Sequence, residues 1–307
     1  MSSKWDSITL YLLLEIDASP RGDRNAYQRE AMTKDYLYKK APLVEVIAEI
    51  HWALKKLDTG PDTRIDPFYD LFREQFLENA KESGFGHQQE LIPQMVPIEL
   101  VADQPHIRIR QKAESWPLMQ IGPGILTANI VPPYQGWQAF EPFLAESVTR
   151  LFDAYPVAKK TLRIERLHLR YVDGFDESFG LNSYTDFASE KLGIGGTLPT
   201  ALLETHVLDK SKATFVIENR FQNKSPEGSL GNIKLSPGKV HGRDAAVLEL
   251  RCESRFSDEN AREKATDIDF IMGWFAEAHK TLRGQFEDLS TEALKQVMGE
   301  RVEIGGD

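Results

Sequence analysis

The sequence predicts an α+β fold of two related strand-helix-strands-long-helix halves, and three observations carry that reading. Apolar residues recur at period two in several short segments, the mark of strands with one buried face, and at intervals of three and four in others, the mark of amphipathic helices. Successive strand segments are joined by hairpin-type links, which implies mainly antiparallel pairing, because parallel neighbours need a crossover helix between each pair. Long helices that follow the strands in each half are expected to cover one face of the sheet. The sequence leaves open whether the halves share one sheet or form two packed domains.

Residues 1–40 read as an N-terminal arm or an extension upstream of the native start. Ser19-Pro20-Arg21-Gly22-Asp23-Arg24 is polar without periodicity, and Met32-Thr33-Lys34 offers a second start. The N-terminal half spans 41–158. Leu43 to Trp52 alternates as a strand. Asp66-Pro67, an N-cap followed by proline at the first helical position, opens a helix through Phe68, Leu71, Phe72, Phe76 and Ala80 that Ser83-Gly84 ends. Short apolar pieces lie around Pro97 to Val101 and at Ile107 to Arg110, the second of which reads as a strand. Leu118 to Ile121 and Ile125 to Ile130 form a hairpin about Gly122-Pro123-Gly124. A helix follows with Trp137, Phe140, Leu144, Val148 and Leu151 on one side, and Pro142 is a candidate for its regular start.

The C-terminal half, 159–307, repeats that order. Strands are expected at Leu162 to Val172, Ala213 to Phe221, Gly231 to Leu235 and Ala245 to Phe256, with a short helix at Tyr184 to Leu192 and a loop at Gly193 to Pro199. A long helix from Asp258 to Phe286 carries the stripe Ile268, Ile271, Phe275, Ala278, Leu282 and Phe286, and Ser290 and Gly299 bound a final short helix.

The chain has 307 residues, long enough to bury roughly three quarters of its unfolded surface without a staple. A net charge of −10 argues against general nucleic-acid binding. The single Cys252 excludes an internal disulfide and a cysteine-based zinc cluster. Ile8 to Leu14 is too short to span a membrane and lacks a signal peptide's flanks, so a cytoplasmic protein is expected.

No catalytic signature stands out. The seven histidines show no metal-ligand spacing, Gly193-Ile194-Gly195-Gly196 is not completed into a phosphate loop, and Cys252 takes the inward register of a strand. No catalytic residue, metal or cofactor is therefore assigned. The informative residues are polar ones on strands. Arg166, His168 and Arg170 share one face of their strand; Glu45, Glu49 and His51 take the outward register of the first strand, and Glu249, Arg251 and Glu253 that of the last. If these strands are neighbours, the face is either a solvated one with cross-strand ion pairs or a groove for an anionic or polar ligand. His106, Arg108, Arg110 and Lys112 alternate likewise, as on a charged edge strand or a surface for an acidic partner. Trp52, Trp116, Trp137 and Trp274 read as core or interface anchors, and His279 as a boundary histidine with a local partner.

Ala41-Pro42-Leu43-Val44-Glu45-Val46, Leu118-Met119-Gln120-Ile121 through Asn129, Tyr134, Trp137 and Phe140, Leu169-Arg170-Tyr171-Val172-Asp173, and His279 with Phe286-Glu287 together resemble a sporadically distributed family of uncharacterised bacterial proteins over roughly residues 41–300. The resemblance brings no reaction, cofactor or catalytic residue. Its patchy distribution implies a horizontally transferred defence or toxin–antitoxin module. The resulting expectation is a non-enzymatic interaction or sensing module for a protein partner or a small polar or anionic ligand, with a homodimer left open. The alternative is a hydrolytic or nucleic-acid-processing enzyme using His168 with neighbouring Arg and Glu.

Overall fold

A computed structural model describes residues 36–58, 63–93, 96–97, 100–196, 213–257, 262 and 265–304. Their centre is one nine-stranded antiparallel sheet. The first half contributes β2 (Leu43–Trp52), β5 (His87–Glu90), β6 (Ile107–Arg110), β7 (Leu118–Gly122) and β8 (Ile125–Ile130); the second contributes β9 (Ile164–Phe175), β10 (Ile217–Gln222), β11 (Leu230–Val240) and β12 (Arg243–Arg255). The order is β10-β11-β12-β9-β2-β8-β7-β6-β5, so the halves meet where β2 pairs with β9. In each half the first strand lies at the centre, the last pairs beside it, and the others step outward. The remaining strands are β3 (Lys55–Lys56) with β4 (Arg64–Ile65), and β1 (Tyr36–Tyr38) with β13 (Arg301–Glu303). Residues 36–38 are thus tied to the C-terminal strand, although they fall within the segment read as an arm. Residues 1–35 lie outside the described residues.

Six helices are described: α1 (Tyr69–Glu82), α2 (Trp137–Ala154), α3 (Ala158–Thr161), α4 (Tyr184–Leu192), α5 (Ile268–Leu289) and α6 (Glu292–Met298). α1, α2 and α5 pack on one face of the sheet. The period-two pattern explains why. Val46, Ala48, Ile50 and Trp52 of β2, Leu167 and Leu169 of β9, and Leu248, Leu250 and Cys252 of β12 are all buried and meet the stripes Phe72-Phe76, Leu144-Val148-Leu151 and Ile271-Phe275-Ala278-Leu282. Cys252 is fully buried and bonded near Ser229 and Asn223.

Several expected boundaries move. α1 begins at Tyr69 rather than at Pro67, because the Asp66 carboxylate is committed to Trp52 Nε1 (2.7 Å) and the Tyr155 hydroxyl (2.8 Å) as well as to the Phe68 N–H. α2 begins at Trp137 and carries Pro142 inside it. Thr291, not Ser290, caps α6. The strand expected near Ala213 begins only at Ile217. The long helix expected from Asp258 begins only at Ile268, capped by Asp267, and residues 265–267 before it are not helical. Residues 98–99, 197–199, 258–261 and 263–264 of the expected segments lie outside the described residues. The all-polar β5 is a strand that apolar periodicity does not mark.

Candidate functional site

The two faces of the sheet centre differ in chemistry. On the face away from the helices, register places Glu49 opposite His168, which faces Glu253, and Ile47 opposite Arg170, which faces Arg251. Arg166, His168, Arg170, Glu49 and Arg251 therefore come together on three adjacent strands. Glu49 Oε2 lies 3.1 Å from His51 Nε2 and 3.2 Å from His168 Nδ1. Burial raises the pKa of Glu49, but the bonds to His168 and then His51 outweigh it and hold the carboxyl well below the usual range. Arg166 Nη2 reaches His51 at 2.9 Å, while Glu249 approaches Arg170 (3.6 Å) and bonds Arg251. Glu49–His168, Arg166–His51 and Glu249–Arg170 are cross-strand pairs, whereas Glu49–His51 and Glu249–Arg251 lie two apart on one strand, and His51 and His168 are themselves buried. Arg108 and Arg110 share the face but lie on β6, beyond β7 and β8. Their strand is not the expected edge, because β5 covers it; Arg110 is buried, packed on the Trp116 ring and 3.4 Å from Glu114. His106 precedes that strand and bonds the Val101 carbonyl. Trp52, Trp137 and Trp274 are core residues, and Trp116 is partly exposed.

On the helix face, beside the β2–β9 joint, lies a cavity of about 410 Å³. Three local features build it. β9 runs three residues past Val172, so Tyr171 and Asp173 follow Leu167 and Leu169 onto the inner face. Next to Asp173 the chain needs glycine: a Cβ at Gly174 would lie 2.4 Å from Val240 Cγ2 and 3.0 Å from Val44 Cγ2. Gly136, at φ 94° and ψ 175°, occupies a region essentially reserved for glycine and turns Trp137 into the cavity wall at the start of α2. α5 closes the space with His279, Leu282, Arg283, Phe286 and Glu287, spaced three and four apart on one helical face.

The polar groups in this apolar wall differ in how they are satisfied. His279 stacks on Trp137 (centroids 4.7 Å apart, 8° between planes), and its Nδ1 is hydrogen-bonded to the Tyr171 hydroxyl at 2.8 Å. Burial, with the charges of Arg283 and Lys280, pushes its pKa down to about 3, so the ring is neutral. Glu287 accepts from Tyr38 (2.9 Å) and Arg301 (2.6 Å), and Arg283 and Arg301 lie over the Tyr36 ring. Burial pushes the Tyr38 phenol up to about 12. Asp173 is 5% exposed, and no hydrogen bond or ion pair reaches its carboxyl among the described residues; burial alone raises its pKa to about 7.

The sequence reading placed His279 beside the apolar stripe but gave Asp173 no role. The signal for it was present: continuing the alternation Leu167, Leu169, Tyr171 puts an acid on an otherwise apolar face. Among the described residues no group of three or more His, Cys, Asp or Glu is arranged to hold a metal ion, and no helix is long and apolar enough to cross a membrane.

No protein-family model matches the chain, and no curated protein matches it. Among solved structures it is similar to the di-domain ARO/CYC StfQ from the steffimycin biosynthetic pathway, at 9% identity over 80% of this chain and 98% of that one, with a TM-score of 0.18, a likeness too slight to assign a fold.

Proposed function

We propose that this protein is a non-enzymatic binding or sensing module that takes a small, largely apolar molecule into the cavity between the sheet and α5. The observation that carries the reading is the cavity itself: about 410 Å³ of space, walled by aromatic and aliphatic side chains, with a buried carboxyl and a neutral imidazole among them. A mostly apolar pocket of that size with a few convergent polar groups is the usual form of a small-ligand site. The occupant differs from the anionic ligand expected at the arginines, because those are engaged, Arg166 with Glu253 and His51 and Arg170 with Glu249 across the sheet, and Arg251 with Glu249 on its own strand. A role in a horizontally transferred defence or toxin–antitoxin module rests on the family resemblance and is compatible with ligand sensing.

Calorimetric titration with the neutral probe 4-phenylbutanol tests the reading. Wild-type protein is expected to bind one equivalent, Leu43→Trp, which fills the cavity from β2, to lose binding, and Arg170→Ala on the opposite face to retain it. Absence of binding by the wild type, or equal binding by Leu43→Trp, overturns the proposal.

One observation favours an enzymatic second reading. Glu49 lies within hydrogen-bond reach of His168, the arrangement that orients an imidazole for general-base work, with Arg166 and Arg170 beside it. Hydrolysis of an ester or phosphodiester substrate that disappears in folded His168→Ala would establish it, and the absence of turnover on such a panel would remove it.

A further inference from the structure

We infer that the molecule held in the cavity carries a protonated amine on an apolar body and that Asp173 is the residue that receives it. This inference rests on the cavity reading and names the ligand class. The two carboxylates that line the space are in opposite conditions. Glu287 is bonded to Tyr38 and Arg301 and lies 3.9 Å from Lys295. Asp173, from the sheet side, is almost wholly buried on the cavity wall and has no bonded partner among the described residues.

The flanking residues on its face are Tyr171 and Phe175, and its cross-strand neighbours are Leu43 and Leu248, so its strand neighbours supply packing and no cation; Lys39 and Arg283 also line the cavity, Arg283 over the Tyr36 ring, and neither is ion-paired with Asp173. A carboxylate in such surroundings is poorly solvated and gains most from a donor that also brings positive charge, since charge-assisted hydrogen bonds are about twice as strong as neutral ones. A hydroxyl would satisfy one lone pair and leave the charge. A carbonyl would require the acid to stay protonated. The aliphatic and aromatic walls take up the rest of such a molecule. No covalent step is involved: the amine enters protonated, forms a hydrogen-bonded ion pair with the carboxylate, and leaves unchanged.

The test compares 4-phenylbutylamine with 4-phenylbutanol by calorimetry at pH 8, on wild type and on the isosteric Asp173→Asn. The amine is expected to bind wild type at least about tenfold more tightly than the alcohol, a margin of ~1.4 kcal/mol. In Asp173→Asn that preference is expected to vanish while the alcohol binds as before. Equal affinities in wild type would overturn the amine inference and leave the cavity reading standing, whereas no binding of either probe would overturn both. An amine preference that survives in Asp173→Asn, or in Asp173→Leu should the asparagine variant not fold, would move the amine site elsewhere and also overturn the inference.

Discussion

Asp173 carries a stability signature of its own. Burial raises its pKa from 3.8 to about 7, so the folded state holds the proton more tightly than the unfolded chain. The stability contributed by that proton is fully present below about pH 4 and is lost as the pH rises through about 7, on the order of 4 kcal/mol in all at 1.36 kcal/mol per unit. Asp173→Asn, which stays neutral throughout, is therefore expected to match wild type near pH 4 and to exceed it above pH 8; urea unfolding at the two pH values checks this, and parallel curves would contradict it. Asp66 has the opposite character, being satisfied by Trp52, Tyr155 and the Phe68 N–H. Asp66→Ala would leave buried donors without an acceptor and is expected to cost about 3 kcal/mol in chemical denaturation. Gly174→Ala must displace Val240 or Val44 and is expected to cost roughly 1–3 kcal/mol as overpacking.

At the scale of elements, legibility followed burial. α4 coincides with its expected span, and β2, β12 and the body of α5 were readable because each pairs one apolar face with one polar face, whereas β7 and β8, buried on both faces, were readable from the Gly122-Pro123-Gly124 turn between them. β5 was not, because His87-Gln88-Gln89-Glu90 is exposed throughout and is a strand through its ladder with β6. The central polar residues were legible as a set once β2, β9 and β12 were supposed adjacent. Arg108 and Arg110 were singled out by their own alternation, which does not tell how far their strand lies from β2, and three strand spacings separate them. The cavity was not legible at all, because it depends on β9 continuing to Phe175 and on the angle at which α5 and the start of α2 meet it, which one-dimensional periodicity does not encode. The short β1–β13 pair yields a prediction of its own. Arg301 is bonded to Tyr38 and Glu287 and packs over Tyr36, so removing residues 301–307 strips β1 of its partner strand and is expected to weaken 4-phenylbutanol binding severalfold; unchanged affinity would show that β1 holds the cavity wall unaided.

At the scale of the whole molecule, the β2–β9 ladder makes the halves one structural unit. Nine registered residue pairs join them, and a single buried cluster runs from Trp52 and Phe76 in the first half to Phe275 and Met298 in the second. Unfolding of residues 36–304 is therefore expected to be one cooperative transition, with calorimetric and van't Hoff enthalpies equal; two resolved transitions would show that the halves are independent. The same joint gives the sheet centre its two characters, a network of paired charges on one side and a largely apolar cavity with the buried Asp173 carboxyl on the other. The most direct measurement of the central claim is native mass spectrometry of the protein drawn from its own host, wild type beside Leu43→Trp. A discrete non-covalent adduct, on the order of a few hundred daltons as suits a pocket of this size, held by wild type and absent from Leu43→Trp, is the predicted result; a bare wild-type chain, or an adduct that the filled cavity still retains, would contradict it.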